Sequence, residues 1–183
     1  MSPPLTPPPQ LHLAPASDPK NISSLKRLNT LLLPIPYRES FYSDILSNAT
    51  DSALSRVAFW EGSISIVGGI RARWELTDGT LPKEPIADIT TIRGGKIYLM
   101  TICVLSPFRG VGVAAALLAD VVETAKRWGV EEVYAHVWQE NRDALEWYRK
   151  RGFVVDEGVV EGYYMRLKPG GARIVRLRIK GVS

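Results

Sequence analysis

A chain of 183 residues, 45% hydrophobic and 23% charged, is long enough to bury one sizeable core and too apolar to be disordered throughout. A net charge of +4 does not by itself demand a polyanionic partner, and a single cysteine, Cys103, excludes an intrachain disulfide and fits a reducing, cytoplasmic setting. No uninterrupted apolar run approaches the roughly 18 to 20 residues of a membrane span, so no membrane partner is expected.

Seven of the 13 prolines fall in the first twenty residues, "MSPPLTPPPQLHLAPASDPK", where no apolar periodicity survives, and residues 1–20 are expected to form a disordered tail. This stretch lacks the basic and apolar blocks of a secretory signal, and it contains no Arg, which argues against a transit peptide. Next, "SSLKRLNTLLLPIPY" places Leu25, Leu28 and Leu32 at helical spacing behind a Ser cap, and Pro34 and Pro36 stop the helix. A second short helix is predicted over residues 41–46. "SRVAFWEGSISIVGGIRARWE" reads as a hairpin turning at Glu61 and Gly62, with Val57, Phe59, Ile64 and Ile66 as its apolar positions. Residues 77–95 read as a loop, and "KIYLMTICVL" as a buried central strand.

After the turn "SPFRGVG", the stretch "AAALLADVVETAKRWG" continues as a helix ended by Gly129, and "VEEVYAHVW" is a further strand. "NRDALEWYRKRGF" reads as a helix from an Asn141 cap to Gly152, and "FVVDEGVVEGYYMRLK" as two closing strands. The order predicts one α/β domain over residues 21–169, with a mixed central sheet flanked by helices. No Asp or Glu follows Glu161, whereas Arg166, Lys168, Arg173, Arg176, Arg178 and Lys180 do. Residues 170–183 therefore read as a solvated basic segment, which suggests nucleic-acid contact only weakly.

Two ligands compete for the glycine turn. A dinucleotide would need an acidic residue about 20 positions on, at the end of the next strand, but Glu131 and Glu132 precede that strand. In the other reading Arg109, Gly112 and Ala114 form R-x-x-G-x-A, and the amides of Arg109, Gly110, Val111, Gly112, Val113, Ala114 and Ala115 cradle a pyrophosphate at a helix start. With that turn and "NRDALEWYRKRGF" in this order, the chain resembles the GCN5-related N-acetyltransferases. The segments "LLLPIPY", "KIYLMTICVLSPFRGVG", "VYAHV" and "GYYMRL" extend the resemblance to the NatE-type N-terminal acetyltransferases within that family.

The resemblance implies a GNAT domain that uses acetyl-CoA as cosubstrate, without a metal, to acetylate the α-amine of Met-starting polypeptides. It implies that Asn141 and Tyr148 face the pantetheine arm, and that Ile102, Cys103 and Val104 supply a backbone amide to the developing oxyanion. Tyr98 and His136 would hold a water that relays the amine proton. Leu33, Pro34, Ile35 and Tyr37 would form one wall of the acceptor site, Met100 its floor, and Tyr163 and Tyr164 the other wall. As partners it implies polypeptide N-termini, nascent or mature, and the NatA complex at the ribosome. Two other functions stay open: acetylation of lysines or small amines, and a noncatalytic acetyl-CoA-binding subunit of a larger complex. The chemistry of the residues agrees with the first reading. An α-amine has a reference pKa of about 7.7 to 8.0 against about 10.4 for lysine, so a histidine with a reference pKa near 6.5 is a sufficient base.

Overall fold

Alternation along β4, Lys96–Val104, sets the two sides of the molecule. Ile97 and Leu99 are buried toward one face, while Tyr98 and Met100 point to the other and are only half-buried. In the computed structural model, which describes residues 6–179, β4 pairs antiparallel with β3, Ile66–Glu75, and parallel with β5, Glu132–Trp138. β2, Arg56–Trp60, and β1, Leu11–Pro15, extend the sheet beyond β3. On the other side β7, Ala172–Arg178, lies between β5 and the two-residue β6, Val154–Val155. The sheet order is β1-β2-β3-β4-β5-β7-β6, mixed because only β4 and β5 run parallel.

Helices cover both faces. α4, Val113–Arg127, packs Leu117 and Val121, each fully buried, over Ile97 and Val133. Burial of side chains of this size stabilises the fold by roughly 1.5–3 kcal/mol each. α5, Arg142–Arg149, adds Leu145 and Tyr148 to the same core. On the opposite face α1, Pro19–Leu32, and α2, Glu39–Ser47, bury Leu25, Leu28, Phe41, Tyr42 and Ile45 around Cys103.

Several expectations need correction. Residues 1–20 are not all tail: from the described residue 6 onward they include β1, held on β2 from Leu11 opposite Trp60 to Pro15 opposite Arg56, and the first turn of α1. A proline is tolerated here because β1 is an edge strand, and Pro15 closes it. The expectation for residues 1–5 lies outside the described residues. The cap of α1 is Asp18, which accepts from the Lys20 amide at 2.8 Å, and not a serine. A further helix, α3, Ala49–Leu54, follows α2. Ile64 is wholly exposed in the turn, so it is not a core position.

The basic segment, residues 170–183, is likewise no solvated end over its described part. It supplies β7, in which Ala172 and Val175 are fully buried and Arg176 pairs with Glu132 and Asp156. Only β6 and the single bridge between Val160 and Ala172 come from the stretch read as two closing strands. The domain therefore runs past both the expected limits, 21 and 169.

Candidate active site

The parallel pairing of β4 and β5 stops at Leu99 opposite Ala135, although β4 continues to Val104 and β5 to Trp138. A bulge between Arg71 and Ala72 in the β3–β4 ladder bends the sheet beside this point. The two strand ends part, which leaves their facing backbone edges open to an extended ligand arm. Ile102, Cys103 and Val104 lie along this edge, so their backbone can contribute there. The Cys103 side chain cannot: it packs in the α1–α2 core, and its thiol, pushed up to about 12 by burial, donates to Asn29 Oδ1 at 3.3 Å.

The glycine turn lies at the mouth of this gap. Gly112 caps α4 with φ of 96°, a left-handed conformation that a residue with a Cβ adopts only under strain. The first backbone bond of the helix runs from Ala116 to the Gly112 carbonyl at 3.0 Å, so the amides of Val113, Ala114 and Ala115 face out of the helix end. Gly110 also has positive φ, and Val111 is exposed. Gly68 lets the cradle sit close to the sheet, since a Cβ there would come within 3.0 Å of Val113 and 3.2 Å of the Cys103 carbonyl. The Arg109 side chain turns back, its Nε donating to the Val104 carbonyl at 2.9 Å. Amides without a backbone partner at a helix N-terminus, with Pro8 packed beside Gly112, and a parted strand pair suit a pyrophosphate and an extended pantetheine arm respectively.

On the α1–α2 face an aromatic cluster gathers below the gap. The Tyr98 hydroxyl lies 3.2 Å from His136 Nδ1 and shares a 2.5 Å hydrogen bond with the Tyr163 hydroxyl. Tyr163 stacks on the imidazole at 4.2 Å and 7°, and the Tyr164 hydroxyl donates to the His136 carbonyl at 3.0 Å. Tyr98 and His136 therefore meet directly. Burial, and then the Arg176 charge, lower the pKa of His136, so its ring is neutral near pH 7. Burial and Tyr163 push the Tyr98 hydroxyl far up, so it keeps its proton.

Of the acceptor walls, Leu33, Tyr37 and Met100 pack against the α1–α2 core, Ile35 is half-buried and Pro34 is exposed. Tyr37 lies on Phe41 at 4.1 Å, and burial with Tyr163 beside it raises its hydroxyl to about 12. Asn141 is exposed, and its Oδ1 accepts from the Ala144 amide at 3.1 Å, which caps α5. Tyr148 is 5% exposed, edge-on to Trp147 and Phe153, and burial raises its pKa, so it holds its proton tightly.

Three neighbours went unassigned in the sequence. The fully buried Glu75 accepts from the Tyr134 hydroxyl at 2.5 Å and from Arg73, whose guanidinium lies over the Tyr98 ring at 5.1 Å. Only the alternation of "RARWE" hints that Arg73 and Glu75 share a face.

Residues 22–153 match the family described as Acetyltransferase (GNAT) family. The chain is 28% identical over 163 residues to the probable N-acetyltransferase san of Drosophila melanogaster, covering 88% of this chain and 78% of that one. It is 27% identical to N-alpha-acetyltransferase 50 of Danio rerio, over 88% of this chain and 85% of the other. Its fold is similar to Arabidopsis thaliana Naa50 in complex with the bisubstrate analogue CoA-Ac-MVNAL, with a TM-score of 0.76 and 27% identity over 93% of this chain and 99% of that one.

Proposed function

The chain belongs to the acetyltransferase (GNAT) family, and from that premise we propose that this N-terminal acetyltransferase modifies Met-starting polypeptides by direct attack of their α-amine, both substrates being bound together. The observation that carries the reading is the Tyr98–His136 contact, with a neutral imidazole, at the foot of the gap between β4 and β5.

Acetyl-CoA supplies the activated thioester carbonyl. Amides of residues 110–115 hold its pyrophosphate, the Arg109 amide being already committed to the Ser106 carbonyl at 3.2 Å, and the open edge of β4 at residues 102–104 offers a donor to the carbonyl oxygen. His136 takes the proton that the attacking amine gives up, while Tyr98, which keeps its own proton, orients the imidazole. The amine nitrogen gains the acetyl carbon, the carbon–sulfur bond breaks, and the departing thiolate takes a proton from solvent to become the thiol, balancing the one that His136 accepts and then releases. A neutral imidazole is a sufficient base for an α-amine and a poor one for lysine, whose reference pKa is about 10.4. Tyr37, Met100 and Tyr164 line the acceptor side with apolar surface suited to a Met side chain. The similar Arabidopsis protein was captured with an analogue whose peptide begins with Met, which supports the same preference here.

A NatE-type role in the cytoplasm, in association with the NatA complex at the ribosome, is part of this proposal. Its support is the resemblance of the substrate-side segments to NatE-type enzymes and the lone, unpaired thiol of Cys103. The test is a Met-starting peptide with an internal lysine, incubated with enzyme and acetyl-CoA and mapped by mass spectrometry. Acetyl on the N-terminal amine is expected, and acetyl on lysine alone overturns the reading.

A further inference from the structure

Beside the acceptor wall lies a second cavity of about 600 Å3, bounded by α2, α3, β3 and the 77–95 loop. Its charge is lopsided: Arg38, Arg71, Arg73 and Lys83 line it against Asp44 and Asp51. Both carboxylates are spent on Arg71, whose Nη2 lies 2.9 Å from Asp51 and 3.9 Å from Asp44. Glu75 holds Arg73. Among the described residues, neither Arg38 nor Lys83 forms an ion pair.

Arg71 is 1% exposed, yet its donors are under-used. Its Nη1 meets only the Met100 thioether, and among the described residues Nε has no hydrogen-bond partner. A guanidinium carries five N–H donors, and buried donors left unpaired are costly. The group is also fixed in place, pinned by Asp51 and set 4.4 Å from the centre of the Phe41 ring. Tyr37 and Met100 line this cavity as well as the acceptor wall, so a polypeptide whose amine reaches His136 passes it within a few residues.

We propose that this cavity is a specificity pocket for a carboxylate side chain, Asp or Glu, carried by the acceptor polypeptide shortly after its N-terminus, with Arg71 as the anchoring residue. The inference rests on the N-terminal acetyltransferase reading. Arg38 and Lys83 attract the acid at the rim, and once the Met100 side chain swings aside Arg71 receives it through Nη1 and Nε, which no protein oxygen satisfies. A neutral amide of the same shape lacks the charge that such donors reward.

The experiment uses the full chain and Met-starting peptides that differ only by Glu or Gln, placed in turn at the second to fifth positions. At one position Glu should raise kcat/KM about tenfold over Gln, the worth of one charge-assisted hydrogen bond. In the paired variant Arg71→Met with Asp51→Leu, which leaves no buried ion alone, that ratio should fall to about one while the Gln peptides keep their rate. Should that variant fail to fold, Arg38→Ala with Lys83→Ala, both at the rim, should reduce the ratio without changing the Gln peptides. Equal rates for Glu and Gln at every position overturn the inference and leave the acetyltransferase reading intact. Absence of any N-terminal acetylation overturns both.

Discussion

The proposed anion-binding end of the site is one run of consecutive residues, 110–115, and would work through backbone, whereas the proposed acceptor end draws Tyr37, Tyr98, His136, Tyr163 and Tyr164 from four distant segments and would work through side chains. The first depends on φ at two glycines. The second depends on the sheet bringing β4 and β5 into register, so that Tyr98 stands opposite Tyr134, two positions before His136 on the same face of β5. A backbone device tolerates most side-chain changes and fails when its dihedrals are forced. A side-chain cluster does the reverse.

The largest effect expected from this contrast is on the acceptor side. His136→Ala should lower kcat by about 10²-fold or more, the usual range for a general base, and Tyr98→Phe by less, because Tyr98 orients the imidazole without taking the proton, while calorimetry finds acetyl-CoA affinity unchanged for both. Because burial depresses the pKa of His136, the acid limb of kcat should fall below pH 6.5: as pH drops through that lowered value the imidazole gains a proton and ceases to accept one. His136→Ala should lose that limb and recover in part between about pH 7 and 9, where solvent deprotonates the amine. A destabilised variant with full turnover per folded molecule would reduce His136 to a packing residue.

Gly112→Val comes next and should behave in the opposite way. Strain of about 1–3 kcal/mol at a left-handed position makes this turn relax, weakening acetyl-CoA binding about 10- to 100-fold while the acid limb stays where it is. An unchanged Kd would show that the amides are not the ligand's holders. Arg109→Ala is the small case: with its Nε committed to Val104, affinity should change by no more than about fivefold, one net hydrogen bond. A larger loss would blur the contrast by giving the cradle a side chain that matters.

The same contrast explains what could be read from the sequence. The cradle was legible because its cause is local: glycines at fixed offsets between an apolar strand and an apolar helix need no knowledge of the rest of the chain. Tyr98 and His136 were legible chiefly through family resemblance, since nothing in "KIYLM" or "VYAHV" reports a 3.2 Å contact. β1 was hidden by its surroundings, where the alternation of Leu11 and Leu13 is drowned among prolines. β7 was hidden by charge. Arg173, Arg176 and Arg178 read as a solvated run, whereas Arg176 is paired with Glu132 and Asp156, and the apolar Ala172 just before the run and Val175 within it reach the core. The buried Arg71–Asp51 pair had no signal at all, because 20 residues separate its members and only the packing of α3 on β3 joins them.

The position of β7 bears on when the enzyme can begin to work. Synthesised after β6, it nevertheless lies between β5 and β6, and its Ile174 stands opposite His136. A growing chain that has displayed everything up to Leu167 has already made Tyr98, His136, Tyr163 and Tyr164, yet the strand that braces the histidine is still missing and β5 has one bare edge. Until Ala172–Arg178 has been made and threaded into place, the polypeptide carries every acceptor-side tyrosine and its histidine without a finished floor beneath them.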